Sequence, residues 1–209
     1  MANDRRSRAV LSLALEAQTE YITTTSHKRD RMAIIVGMDN SPNGLRKFYV
    51  SRPHVGYLSE RWYQAIKRNT YRTRFRKRRI TKTIHFADDD ANAMRIFLYI
   101  AHAQPTKLPQ RLSLDELVQL ARVAQRYSLN HLVVGYLDNW IRPHRNRILD
   151  PEYRWLYMAW QFGLDQDYRY LALHLAQNCP VNTEGRFVAP STNRTITTLL
   201  PSHVLGESF

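Results

Sequence analysis

Apolar positions recur along the chain with two periods, and the change from one to the other organises the sequence. MAIIVGM (32–38) is a short apolar run rich in branched side chains, the pattern of a buried strand. The turn signal SPNG (41–44) follows, and then KFYVS (47–51), so these two strands are expected to form a hairpin. ITKTIHF (80–86) sets Ile80, Lys82, Ile84 and Phe86 against threonine and histidine, which is the period-two signature of a further strand.

Helical spacing governs the rest. Val55, Leu58, Trp62 and Ile66 stand three or four apart after Pro53, with Ser59 placed to cap a short helix. ADDDANAMRIFLYIAHA carries Met94, Phe97, Leu98 and Ala101 in one stripe and offers an aspartate as N-cap. In SLDELVQLARVAQRY, Ser113 and Glu116 have capping-box spacing, and Leu117, Leu120, Ala121 and Ala124 are expected inside. NHLVVGYLDNWI (130–141) ends before Pro143, while PEYRWLYMAWQF (151–162) and DYRYLALHLAQN (167–178) read as a helical pair. Val10, Leu13, Ala14 and Ala17 predict a first helix over 5–20, followed by the polar linker TTTSHKRD (23–30). After Pro180 the chain turns polar, with one last docked turn expected over 200–206. Strands come early and helices late, so the fold class is α+β.

Charge changes this picture in one place. The formal net charge is +13 over 209 residues. Ten Lys or Arg and no acid lie between Arg61 and Ala87, which leaves 21 basic against 18 acidic side chains elsewhere. The body is nearly neutral and carries one basic segment, KRNTYRTRFRKRR (67–79). Tyr71 and Phe75 interleave there with Arg72, Arg74, Arg76, Lys77, Arg78 and Arg79, a mixture suited to phosphates and bases, to an acidic protein, or to nuclear import. It also suits a solvated loop without a dedicated ligand, which we favour, since the segment joins core elements and many unpaired guanidinium groups resist burial. An exposed loop is the expectation.

Candidate catalytic chemistry is sparse. Asp88, Asp89 and Asp90 with His85 suggest a hard cation, but consecutive side chains diverge, and acids at a helix N-terminus are the simpler reading. The histidines have no metal-binding spacing, and Cys179 is the single cysteine, which excludes an internal disulfide and fits a reducing compartment. No phosphate-cradling glycine loop or nucleophile elbow occurs. The expectation is a non-enzymatic protein with no cofactor and no metal. Trp155, Met158, Ala159 and Phe162 are expected in a core, with Trp160 displaced from them. No run approaches the ~18 apolar residues of a membrane span, and the nucleus or cytoplasm is the expected location.

The same elements carry a resemblance. Phe48-Tyr49-Val50-Ser51 leading to Val55, Leu58, Ser59 and Trp62, then TIHFADDDANAMRIFLYIAHAQ, then SLDELVQLARVAQRYSL ending in Gln125-Arg126-Tyr127, resemble successive motifs of the BTB/POZ fold. Trp155-Leu156 with Trp160-Gln161-Phe162 resembles a helix that follows the domain in many fungal members. The resemblance spans roughly residues 30–178 and departs at Asp30-Arg31-Met32 and in the basic segment. It implies residues 1–29 as an N-terminal helix and linker, 30–142 as a BTB/POZ-like domain with a small sheet and a helical cluster, and 143–209 as a helical extension with a polar tail.

The function it implies is a protein–protein interaction module that self-associates and recruits partner proteins. The unpaired stripe of the N-terminal helix points the same way. A cullin-type ligase scaffold is a partner for some members, but the acidic motif that role uses is absent from QPTKLPQRLS (104–113). The alternative is a nucleic-acid-binding protein using residues 67–79.

Overall fold

The computed structural model describes residues 18–22, 30–37, 44–75, 79–147, 153–190 and 192–196. Its internal contacts divide the chain into two units, Met1–Pro109 with Arg122–Val133 and Gln110–Ala121 with Val134–Phe209. Of the three divisions, those after Ala121 and Val133 fall inside helices, and all three precede the 142/143 boundary read from the sequence. Among the described residues no helix is long and apolar enough to cross a membrane.

The first unit is built on a five-stranded sheet of order β1-β3-β2-β5-β4. Its strands are β1 (Thr19–Tyr21), β2 (Arg31–Val36), β3 (Arg46–Ser51), β4 (Thr70–Phe75) and β5 (Arg79–Phe86). The apolar run in β2 places it centrally, antiparallel to β3 and parallel to β5. Met32, Ala33, Ile34 and Val36 are all buried, as a strand covered on both faces requires. β3 alternates instead: Phe48 and Val50 are buried, while Lys47 and Tyr49 are less so. The expected hairpin and the expected strand over 80–86 are both present.

Two short helices, α1 (Arg52–Val55) and α2 (Glu60–Asn69), connect β3 to β4. Pro53 stands in the first turn of α1, where its missing N–H costs nothing. Ser59 caps α2 as expected, accepting from the Trp62 amide at 3.0 Å, and its hydroxyl also donates to the Tyr127 carbonyl. Helix α3 (Ala91–Ala101) starts at Asp90, whose Oδ1 accepts from the Ala93 amide at 2.8 Å. Helices α4 (Leu114–Tyr127) and α5 (Asn130–Ile141) follow, and both match their predicted spans. Leu117, Leu120, Ala121 and Ala124 on α4 are fully buried.

Tyr127 gathers the first unit together. Its ring meets Trp62 edge-on at 5.3 Å and Phe86 at 5.4 Å, and those two rings stack at 5.2 Å. Its hydroxyl donates to Asp89, a buried carboxylate that also accepts from Arg126 Nη1 at 2.5 Å. Burial raises the Asp89 carboxyl above its ordinary value, against the opposing pull of the Tyr127 hydroxyl and the Arg126 guanidinium.

The N-terminal helix read over 5–20 needs correction at its end. Residues 5–17 lie outside the described residues, but Thr19 and Glu20 belong to β1, paired parallel with β3. Tertiary contacts outweigh helical spacing here. Ile22 is buried, and its amide donates to the Tyr49 carbonyl at 3.0 Å. Gln104 Nε2 donates to the Ile22 carbonyl at 2.6 Å, and the Tyr99 hydroxyl donates to Glu20. The linker residues 23–29 and the turn residues 41–43 also lie outside the described residues.

The second unit contains α6 (Arg154–Phe162) and α7 (Asp165–Asn178). The Ser113–Glu116 capping box closes as expected: Glu116 Oε2 accepts from the Ser113 amide at 2.8 Å, and Ser113 Oγ accepts from the Glu116 amide at 3.2 Å. Trp155, Met158 and Ala159 are buried, Phe162 is half-buried, and Trp160 remains 36% exposed. Gly163 ends α6 at φ 69°, a left-handed position that favours glycine, with its amide turned back to Ala159 and Trp160. The polar stretch after Pro180 forms a small hairpin of β6 (Val188–Ala189) and β7 (Arg194–Thr195) that its composition did not predict. Asn182 Oδ1 organises the preceding turn by accepting from the Glu184 and Arg186 amides at 3.0 and 2.9 Å. Residues 200–206, read as a docked turn, lie outside the described residues.

A histidine pair at the start of α1 generates a pH dependence. His102 Nε2 accepts from the Ser51 amide at 3.0 Å, so Nδ1 must carry the proton toward the Leu98 carbonyl at 2.7 Å. The ring is therefore neutral, and burial lowers its pKa below 6.5, with His54 stacked 5.1 Å away adding repulsion. A histidine whose folded pKa is depressed contributes stability that is complete above 6.5 and is lost as pH falls through the folded value. The melting temperature should drop between about pH 7.5 and about pH 5. In His102→Gln that drop should shrink. An equal drop in both proteins would remove His102 as its source.

Candidate interaction surfaces

Where it is described, the basic segment is helix and strand and not the loop its composition suggested. Lys67 and Arg68 close α2, where cations favour the negative end of the helix. Arg72 and Arg74 lie in β4, and Arg79 opens β5. Arg76, Lys77 and Arg78 lie outside the described residues. The antiparallel register sets Arg72 opposite Lys82, Arg74 opposite Ile80 and Phe75 opposite Arg79. The reason is legible once charge is set aside. In TYRTRF, β-branched and aromatic residues alternate with the two arginines, a strand pattern hidden by the density of cations. Among the described residues β4 ends the sheet, pairing with β5 alone. The three described patch residues, Arg72, Arg74 and Arg79, are thus divided between two paired strands.

A second surface escaped the sequence reading. The apolar stripe of Val55, Leu58, Trp62 and Ile66 turns inward only in part: Val55 and Trp62 are buried, Leu58 and Ile66 half-buried. Beside the stripe Tyr57 is 86% exposed and Tyr63 is 38% exposed, their rings 6.1 Å apart and 10° from parallel. With Asp30, Met32, Arg52, Pro53, Gly56 and Ile66 they line a cleft of ≈ 270 Å³. Gly56 keeps this turn tight, because a Cβ there would stand 3.0 Å from the Arg52 carbonyl oxygen. Two tyrosines flanking the apolar stripe, six residues apart, were the available signal.

The residues considered for cation chemistry each have separate work. Asp90 caps α3, Asp89 faces Tyr127 and Arg126, and Asp88 is exposed. His85 Nε2 pairs with the Gly37 carbonyl at 2.9 Å. Among the described residues no group of three or more His, Cys, Asp or Glu is placed to hold a metal ion. In the second unit the Cys179 thiol donates to the Tyr153 hydroxyl at 3.1 Å, and that hydroxyl lies 3.1 Å from His174 Nδ1. Burial and the Cys179 contact raise the Tyr153 hydroxyl well above its ordinary value.

The three aspartates should separate in urea denaturation. Asp88→Asn should stay within about 0.5 kcal/mol of the parent. Asp90→Ala should cost about 1 kcal/mol through the lost cap. Asp89→Ala should cost the most, about 2–3 kcal/mol, because it leaves the buried Tyr127 hydroxyl without its acceptor. A different order would show that the Asp89–Tyr127 contact matters less than its burial implies.

No family model matches the chain, and no curated protein matches it in sequence.

Proposed function

We propose that this chain is a non-enzymatic protein–protein interaction module of BTB/POZ type that self-associates and recruits partner proteins. The observation that carries the reading is the Tyr57–Tyr63 pair beside its cleft. Exposed stacked aromatics present large, rigid contact area at small conformational cost, and interfaces are enriched in them. The order of elements is compatible with the resemblance: a β2–β3 hairpin, two short helices, a strand returning parallel to β2, and then a helical cluster.

Self-association is favoured over service as a ligase scaffold. Residues 104–110 form a short 3₁₀ turn at Pro105–Lys107 and carry no acid. Nucleic-acid binding by the basic segment is the rival reading, and salt separates the two. Phosphate binding through six or more cations should weaken about a thousandfold or more between about 50 and about 200 mM salt.

Sedimentation equilibrium at tens of micromolar should find an oligomer. Tyr57→Ser with Tyr63→Ser should shift it toward monomer while stability stays within about 0.5 kcal/mol, because both side chains reach the surface. A monomeric parent, or an oligomer indifferent to both substitutions, would count against the reading.

A further inference from the structure

We propose that β4 is a docking edge for an extended acidic segment of a partner protein, which adds beside it as a further strand. Antiparallel pairing with β5 engages the peptide groups of alternate β4 residues and directs those of the others away from β5. An edge of this kind is a template for another chain. Its six residues match a partner strand of about 20 Å.

Charge selects the occupant. Between Arg61 and Ala87 there are ten Lys or Arg and no acid. Edge-to-edge pairing with a second copy would bring Arg72 and Arg74 against the same cationic strand, and like charges across strands repel. A strand bearing carboxylates at alternate positions gains from the same residues. Among the described residues no strand of this chain takes that place. Its longest acidic run is Asp88–Asp90, where Asp89 is bound to Tyr127 and Arg126 and Asp90 caps α3. A nucleic acid would satisfy the cations but offers no peptide groups to continue the ladder. Of the two polyanions, the acidic peptide uses both features of the edge.

The proposal rests on the interaction-module reading only in taking the partner to be a protein, and it concerns a different surface from the tyrosine pair. The probe is a fluorescent ten-residue peptide alternating Glu with Thr and Val. Its controls are the same peptide with two central prolines and a thymidine 20-mer. With the full chain, the Glu peptide should bind at least about tenfold tighter than the proline version, which keeps the charge but loses backbone donors. Amide exchange across Thr70–Phe75 should slow when it binds. Arg72→Glu with Arg74→Glu should weaken binding about tenfold or more.

If that variant does not fold, the proline control and the exchange measurement on the parent still decide. Equal binding of both peptides, no peptide binding, or tighter binding of the oligonucleotide would each overturn the proposal. Sedimentation of the same samples reports self-association independently, so the two readings fail separately.

Discussion

The first unit depends on Tyr127, which uses three parts of one residue for three different purposes. Its ring completes an aromatic cluster with Trp62 and Phe86. Its carbonyl accepts from Ser59, the residue that caps α2. Its hydroxyl donates to Asp89, just ahead of α3. The end of α4 is thereby tied to the start of α2, the end of β5 and the start of α3. Placing a carboxylate in this environment costs desolvation, visible in the raised Asp89 pKa, and the Tyr127 and Arg126 donors offset it. Directional bonds of this kind specify one packing of the helices where apolar burial alone would tolerate several.

The two candidate surfaces follow from what this core leaves over. Val55 and Trp62 must face inward, and the tight turn at Gly56 then puts Tyr57 outward beside Tyr63. At the other end, β5 must lie against β2 because Ile84 and Phe86 belong to the core. The cation-rich β4 takes the other side of β5 and, among the described residues, ends the sheet. Its charge suits that position, since an uncharged strand there would invite pairing with its own kind.

A similar economy appears where β3 passes into α1. Ser51 is buried, and its amide and hydroxyl are satisfied by His102 and His54 respectively. Both imidazoles stack over this junction, so the strand-to-helix turn is held by two histidine rings bonded to one buried serine. The tautomer of His102 is set by its two partners and not by its own preference.

The amino-acid sequence by itself determined the elements whose periodicity was undisturbed. β2 and β3, β5, and the helices with clear caps at Ser59, Asp90 and Ser113 stand where local patterns put them. It also located the basic segment and set Trp160 apart from the buried residues of α6. Only the tertiary structure decided what depends on distant partners. Thr19–Tyr21 is a strand because β3 offers it a free edge, although the residues before it are spaced as a helix. TYRTRF is a strand because β5 pairs with it, although its charge read as a loop. The short hairpin near the C-terminus has strands of two residues, too brief for any period to register. The tyrosine pair depends on which face of α1 and α2 the core claimed. Local spacing sets the conformation a segment prefers alone, whereas sheet edges and exposed faces are created by whatever packs beside them.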